Sequence, residues 1–324
     1  MFILASVFPI QNEVVVSEKP NIGGQAVLEG VMMRSPHAFA VAVRKGGKPD
    51  ATISILRETI RPVGERFPIL KTKILRGSVV LFETLWLGMR ALNFSANEAL
   101  ENEEGKKEEF SPLAMAGTMI FAFLLAIGLF LVLPLVLTSF LGIWFEAINT
   151  SSVLFNFIDG ILRVIFFLGY IAGISCMKDI RRVFEYHGAE HKSIAAFEAG
   201  VELTPENARP YSRIHPRCGT SFLLAVIVLS ILLFTFIPGS WPLWAKALAR
   251  VLLLPVIAGL GYEFIKYSAK HENSRIIKAL MLPGLWLQEL TTREPSPDQI
   301  EVAIRALQES LQENPVLESR ETTG

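Results

Sequence analysis

The sequence predicts a mainly α, polytopic membrane protein with about four transmembrane helices. A small N-terminal α+β cytoplasmic element precedes them and a C-terminal cytoplasmic helix follows. Three observations predict this. Of 324 residues, 51% are hydrophobic and 19% charged, with a mean hydropathy of +0.41, whereas soluble chains carry roughly 25% charged residues. Four stretches meet the about 20 apolar residues a helix needs to cross a bilayer. Finally, 28 of the 31 Lys and Arg residues fall in three segments, residues 1–112, 178–218 and 266–324, and none in the connections 138–152 and 238–242. By the positive-inside rule those three segments, with both termini, are cytoplasmic.

The extreme N-terminus, Met1 to Ile10, is apolar but short, with no basic flank or small-residue cleavage site, so it does not read as a signal peptide. Ala38 to Arg44 and Ala51 to Arg57 are strand-like runs separated by Lys45-Gly46-Gly47-Lys48-Pro49-Asp50, the composition of a hairpin loop. Leu70, Ile74, Leu81, Leu85 and Leu92 then recur at helical spacing, with Phe82 and Trp86 adding bulk. That amphipathic helix lies either on the membrane surface or against the β element. Residues 101–109 form a charged linker. The four spans run from about Leu113 to Leu137, Val153 to Met177, Thr220 to Ile237 and Leu243 to Tyr267. Ile276 to Leu290, broken by Pro283-Gly284, reads as an interfacial or re-entrant element. Ser296-Pro297-Asp298-Gln299 opens a terminal helix, Ser as cap with Gln three residues on. The domain division is therefore 1–112, 113–267 (containing the loop 178–218) and 268–324.

Composition excludes several classes. Acidic and basic residues both number 31, so the net charge is zero. A uniformly basic nucleic-acid binder is not indicated, and no nucleic-acid partner is expected. The two cysteines, Cys176 and Cys218, cannot make a disulfide framework. The spans carry too few polar residues for a persuasive ion path. The partners that remain are the lipid bilayer and a substrate the sequence does not identify.

One constellation carries chemistry. Tyr186-His187-Gly188-Ala189-Glu190-His191-Lys192 contains H-x-x-E-H, the reverse of the zincin order. On a helix, His187 and His191 project from one face a turn apart, so both imidazoles can hold one divalent metal, zinc by ligand type. Glu190 is placed to act as general base in metal-assisted hydrolysis. Candidates for a third ligand are His215 and Cys218, just before the third span, and Glu198. The last stands seven residues from His191, about 10.5 Å of helical rise, and joins only if the chain bends. If His187, His191, His215 and Cys218 all bind, the site is closed and structural, as in a scaffold or assembly factor. If one stays free, an open position remains for catalysis. If the second span runs on as helix past Met177, His187 lies about 15 Å beyond it.

Other residues have simpler expectations. Asp159 and Arg163 stand i, i+4 in the second span and predict an internal salt bridge. Lys246 and Arg250 are expected to snorkel to the headgroups. Glu263 reads as an interfacial carboxylate, or as a metal ligand or a partner orienting a histidine. Gly23-Gly24 with Glu29 and Arg34 reads as a tight turn with ordinary charges, or as a segment folded over the central loop. His37 and His271 read as surface residues, and Cys176 as a small buried one.

Several runs together resemble the YqhQ-like family of bacterial membrane proteins, labelled in places as predicted metal-dependent enzymes. They are the runs from Gly23 to Arg34, from Glu185 to Lys192, from His215 to Thr220 and from Pro283 to Thr292, with Glu301-Val302-Ala303-Ile304. The resemblance covers about residues 21–307. It implies a metal site and a multi-pass protein of the bacterial cytoplasmic (inner) membrane.

Overall fold

In the computed structural model, residues 20–312 are described, apart from 74, 100–111, 217 and 272–273. The N-terminal apolar stretch and the charged linker 101–109 lie outside the described residues. The polypeptide opens with four antiparallel strands in the order β1-β2-β3-β4: β1 (Gly23–Val27), β2 (Gly30–Arg34), β3 (Ala38–Arg44) and β4 (Ile53–Thr59). The expected hairpin is β3–β4, with Ala42 opposite Ile55. The segment from Gly23 to Arg34, for which a tight turn or a fold over the central loop is expected, forms the β1–β2 hairpin. Its connection has no Gly or Asn, and Glu29 adopts a left-handed φ of 52°, a conformation costing roughly 1–2 kcal/mol for a side chain with a Cβ. Bonds to the Glu29 carboxylate from Arg182 and, at 3.3 Å, from the Tyr186 hydroxyl hold it there.

Strand β3 alternates Ala with Phe or Val, and every residue in it is buried. Phe39, Val41 and Val43 pack with Val27 and Met32 against Leu87 and Ala91 of helix α1 (Leu75–Ala99). The other sheet face presents Val31, Met33 and Ala42 to Ile300, Ala303 and Leu307. Helix α1 therefore packs on the β element, and it also exposes Phe82, Leu85 and Trp86.

The membrane portion follows. Helix α2 runs as Pro112–Ile127, a π-helical turn Gly128–Val132, and Leu133–Trp144. Pro134 lacks the N–H that would bond the Phe130 carbonyl, so that carbonyl needs another donor. Arg163 Nε supplies it at 3.0 Å. Helices α3 (Ser152–Ile174), α4 (Lys178–Ala199), α5 (Gly219–Phe234), α6 (Leu243–Lys270), α7 (Arg275–Thr291) and α8 (Pro297–Leu311) complete the chain. Three helices among the described residues are long and apolar enough to cross a membrane, at Gly117–Trp144, Ser152–Ile174 and Leu243–Ser268. This is a membrane protein. The expected third span is the shorter apolar helix α5, 16 residues, a rise of about 24 Å against a hydrocarbon core of about 30 Å.

Four expectations need correction. Arg250 does not snorkel: it is 1% exposed, because Asp159 and Asn156 draw its guanidinium inward at 2.7 and 2.9 Å. Asp159 also pairs with Arg163 at 2.6 Å, as expected. Cys176 is exposed rather than buried. The second span does not continue as helix, since Met177 is extended (ψ 134°) and α4 restarts at Lys178. Finally, α7 is unbroken through Pro283, and Gly284 seats it closely against Ser221. The cap of α8 forms as expected, with Ser296 and Gln299 in a reciprocal capping box.

Three segments far apart in sequence thus close around one core. The sheet, α4 and α8 share a single apolar cluster that joins Val31 and Met33 to Tyr186, Ala189 and Leu307.

Candidate metal centre

Helix α4 carries H-x-x-E-H into the groove between β1 and α7. The first variable position must be small. A Cβ at Gly188 would stand 2.1 Å from the Arg293 carbonyl, and Arg293 N–H donates to the Phe184 carbonyl at 2.8 Å. One helical turn brings the His187 and His191 rings to 4.5 Å between centroids.

Each imidazole is oriented by a backbone carbonyl. His187 Nδ1 bonds the Thr291 carbonyl at 2.8 Å, and His191 Nδ1 bonds the Arg213 carbonyl at 2.6 Å. A carbonyl only accepts, so both Nδ1 atoms carry a proton, and in the neutral ring it is Nε2 that offers the lone pair. Those lone pairs converge with a third group. Cys218 caps α5, its Sγ accepting from Thr220 N–H at 3.4 Å, and lies 3.2 Å from His187 Nε2. One ligand atom each from His187, His191 and Cys218 fall within 4.8 Å of one another. His191 Nε2 is buried and, among the described residues, has no hydrogen-bond partner. A buried, unpaired acceptor is costly. Two imidazole nitrogens fixed by carbonyls and one sulfur are the donors a zinc-type ion takes, so the residues present fit such an ion. Burial pushes His191 below the ordinary histidine range, outweighing the neighbouring thiol, and the neutral ring is the one that binds metal.

Two further candidates stand to one side. The His215 ring is 5.9 Å from that of His191, with Nε2 3.2 Å from Glu198 Oε2. Gln288 grips the His215 backbone, accepting from its N–H and donating to its carbonyl, both at 2.9 Å. Glu198 thus meets His215 because the 200–218 loop folds back, without a bend in α4. Glu263, weighed as a partner for a histidine, is instead held by Arg76, whose Nε donates to it at 2.6 Å. His37 and His271 are exposed.

Glu190 is 5% exposed and is not one of the three converging groups. Burial pushes its carboxyl above the usual carboxylate range. His187, His215 and the Gly24 N–H act in the opposite direction. Strand β1 does fold over the motif: a Cβ on Gly24 would lie 2.8 Å from both the Glu190 carboxyl and the Met32 carbonyl, whereas Gly23 has open space. Gly24→Ala should therefore cost about 1–3 kcal/mol and Gly23→Ala little. Thermal melts in detergent check the contrast, and equal melting temperatures would refute the close packing.

The pH dependence of Glu190 has a definite sign. A folded value raised above 4.5 contributes stability that is complete below that pH and is lost as pH rises through the raised value. Glu190→Gln mimics the neutral acid, so metal-free Glu190→Gln protein should be more stable than metal-free wild type near pH 8. The gap should close toward pH 4.5. Melting curves across pH would show it, and a variant less stable at pH 8 would refute the buried carboxyl.

Sequence reasoning singled out the Gly23-Gly24 segment without assigning Gly24 its contact, and it missed Gln288 and the carbonyls of Thr291 and Arg213. Backbone carbonyls leave no residue-type signal. The signal for Gln288 and Thr291 was their place in the run from Pro283 to Thr292.

Comparisons with known proteins agree with one another. The family described as "Protein of unknown function (DUF1385)" matches residues 72–313, a range that includes all three converging ligands and Glu190. The chain is also 35% identical over 302 residues to the protein described as "Uncharacterized protein YqhQ" of Bacillus subtilis (strain 168), covering 90% of this chain and 92% of that one. No solved structure matches at a significant level.

Proposed function

The chain belongs to the DUF1385 family, and from its own residues we propose a metal-dependent membrane enzyme, a hydrolase with a zinc-type centre. The observation that carries this reading is the convergence of His187, His191 and Cys218 within 4.8 Å, with His191 Nε2 buried and otherwise unpaired. Those three atoms would hold a divalent ion. Bound there, it would supply Lewis-acid polarisation of a carbonyl or phosphoryl centre and activation of water. Three protein ligands leave one position open, the pattern of catalytic rather than structural sites.

Glu190 is the general base. Its carboxylate receives the proton of the attacking water and returns it to the leaving group. Burial raises its pKa above the ordinary carboxylate value, the direction that strengthens a general base. The Gly24 N–H and the tight fit at Gly24 hold the carboxylate in place. Carbonyls keep the two imidazoles in the tautomer that faces the centre.

The rival is a closed structural site with His215 as fourth ligand, in a scaffold or assembly factor. The contact between His215 Nε2 and Glu198 disfavours it. The basic-residue asymmetry supports a cytoplasm-facing centre in a multi-pass protein of the bacterial cytoplasmic (inner) membrane, with both termini cytoplasmic.

The experiment is Glu190→Gln in cells lacking the native copy. Retained metal with lost cellular function supports catalysis. Wild-type function from Glu190→Gln would refute the hydrolase reading and leave the structural one.

A further inference from the structure

A cleft of about 720 Å³ opens beside the centre. Two of its lining residues connect it to the chemistry: Cys218, one of the three converging ligands, and Gly24, which touches Glu190. The volume lies within the range of small-molecule sites and is too small for a folded partner.

The walls differ in kind. Phe222, in the first turn of α5, and Tyr262 and Ile265, near the end of α6, line one side. Tyr262 and Ile265 belong to the membrane-crossing stretch Leu243–Ser268. Leu81 of α1 adds to this apolar wall. The sheet supplies polar groups, chiefly Arg34, whose charge is matched by Glu83 at 2.9 Å. The cleft is thus apolar where it meets membrane helices and hydrogen-bonding, without surplus positive charge, where it meets the sheet.

Helix α1 extends the apolar surface outward. Next to the cleft residue Leu81 stands Phe82, 79% exposed, followed by Leu85 and Trp86. An apolar helix face with an exposed Trp suits the boundary between headgroups and hydrocarbon. A molecule dissolved in the bilayer would enter along this face.

We infer that the cleft takes a single-chain membrane amphiphile with an uncharged or zwitterionic headgroup, and that this is the substrate class of the centre. The inference rests on the proposed metal centre for the word substrate; the lipid occupant rests on the cleft alone. The acyl chain lies along Phe222, Tyr262, Ile265 and Leu81, and the polar part reaches Cys218 and Gly24. Arg34, already paired, gives no reason to select a polyanion.

The test reconstitutes the full chain in phosphatidylcholine vesicles with lysophosphatidylcholine carrying a diazirine on its acyl chain. Photolabelled residues are mapped by mass spectrometry, and metal content is measured in parallel. Saturable labelling of Leu81, Phe222, Tyr262 and Ile265 is expected. Leu81→Trp should abolish it, with Thr84→Phe as a second cleft-narrowing variant, while labelling of the outward-facing Phe121 and Leu125 and the bound metal persist. Metal-loaded protein labelled only on its outer surface would overturn the inference and leave the centre standing. A labelled cleft in protein that never holds metal would support the lipid site and refute the centre. Displacement of the lipid probe by a soluble diazirine-bearing tetrapeptide, labelling the same residues, would overturn the inference in favour of a peptide.

Discussion

Replacing Asp159 with Asn is expected to lower stability by roughly 3–5 kcal/mol, the range for breaking a buried ion pair from one side. Asp159 is 1% exposed and its two oxygens serve two cations, Arg163 at 2.6 Å and Arg250 at 2.7 Å. Both guanidiniums stand over the Phe234 ring, 4.8 and 5.0 Å from its centre. Ser230 and Asn156 take further N–H groups, so hydrogen bonds survive the substitution, but the counter-charge that Asp159 supplies to both guanidiniums does not. Two unneutralised cations between membrane helices are costly by any measure. Unfolding in mixed micelles would register the loss. A suitable control is Glu185→Gln, whose cationic partner Arg181 is 67% exposed and 3.8 Å away and whose bond from Gln299 Nε2 at 3.1 Å the glutamine oxygen still accepts, and which should cost at most about 1 kcal/mol. If Asp159→Asn behaves like this control, the triad does not hold the bundle together.

The second large effect concerns metal affinity. Cys218→Ser and His187→Ala each remove a donor of the proposed centre. Either should weaken binding by more than the about 10–100-fold that follows from losing a supporting hydrogen bond. His37→Ala and His271→Ala, at exposed positions, should leave affinity unchanged. Competition titration with a chromogenic chelator reads the difference. Wild-type affinity in Cys218→Ser would remove the sulfur from the site and with it the three-ligand arrangement.

Much of this architecture is legible before any coordinates. Long uncharged runs can only be buried or lipid-facing, and H-x-x-E-H on a helix must put both imidazoles on one face. What was not legible depends on partners distant in sequence. The β1–β2 hairpin has a poor turn residue in Glu29 and forms because Arg182 and Tyr186 of α4 hold its carboxylate. Arg250 looked like an end-of-span snorkeling residue until Asp159 and Asn156, on another helix, were found to draw it inward. Glu198, a third-ligand candidate that the sequence admits only through a bend in α4, instead meets His215, because rise along one helix says nothing about a loop that returns to it. The glycines were ambiguous for the same reason. Gly24 and Gly188 are explained only by the carboxyl and the carbonyl that occupy the space a Cβ would need.

The central claim is a three-ligand centre built from two imidazoles and one cysteine sulfur. Metal-edge X-ray absorption on the purified full-length protein tests it most directly. The expected result is about one metal per chain, with one sulfur neighbour at about 2.3 Å and nitrogen neighbours at about 2.0–2.1 Å, the sulfur contribution vanishing in Cys218→Ser. Protein that purifies without stoichiometric metal, or a metal with no sulfur neighbour, would contradict the account.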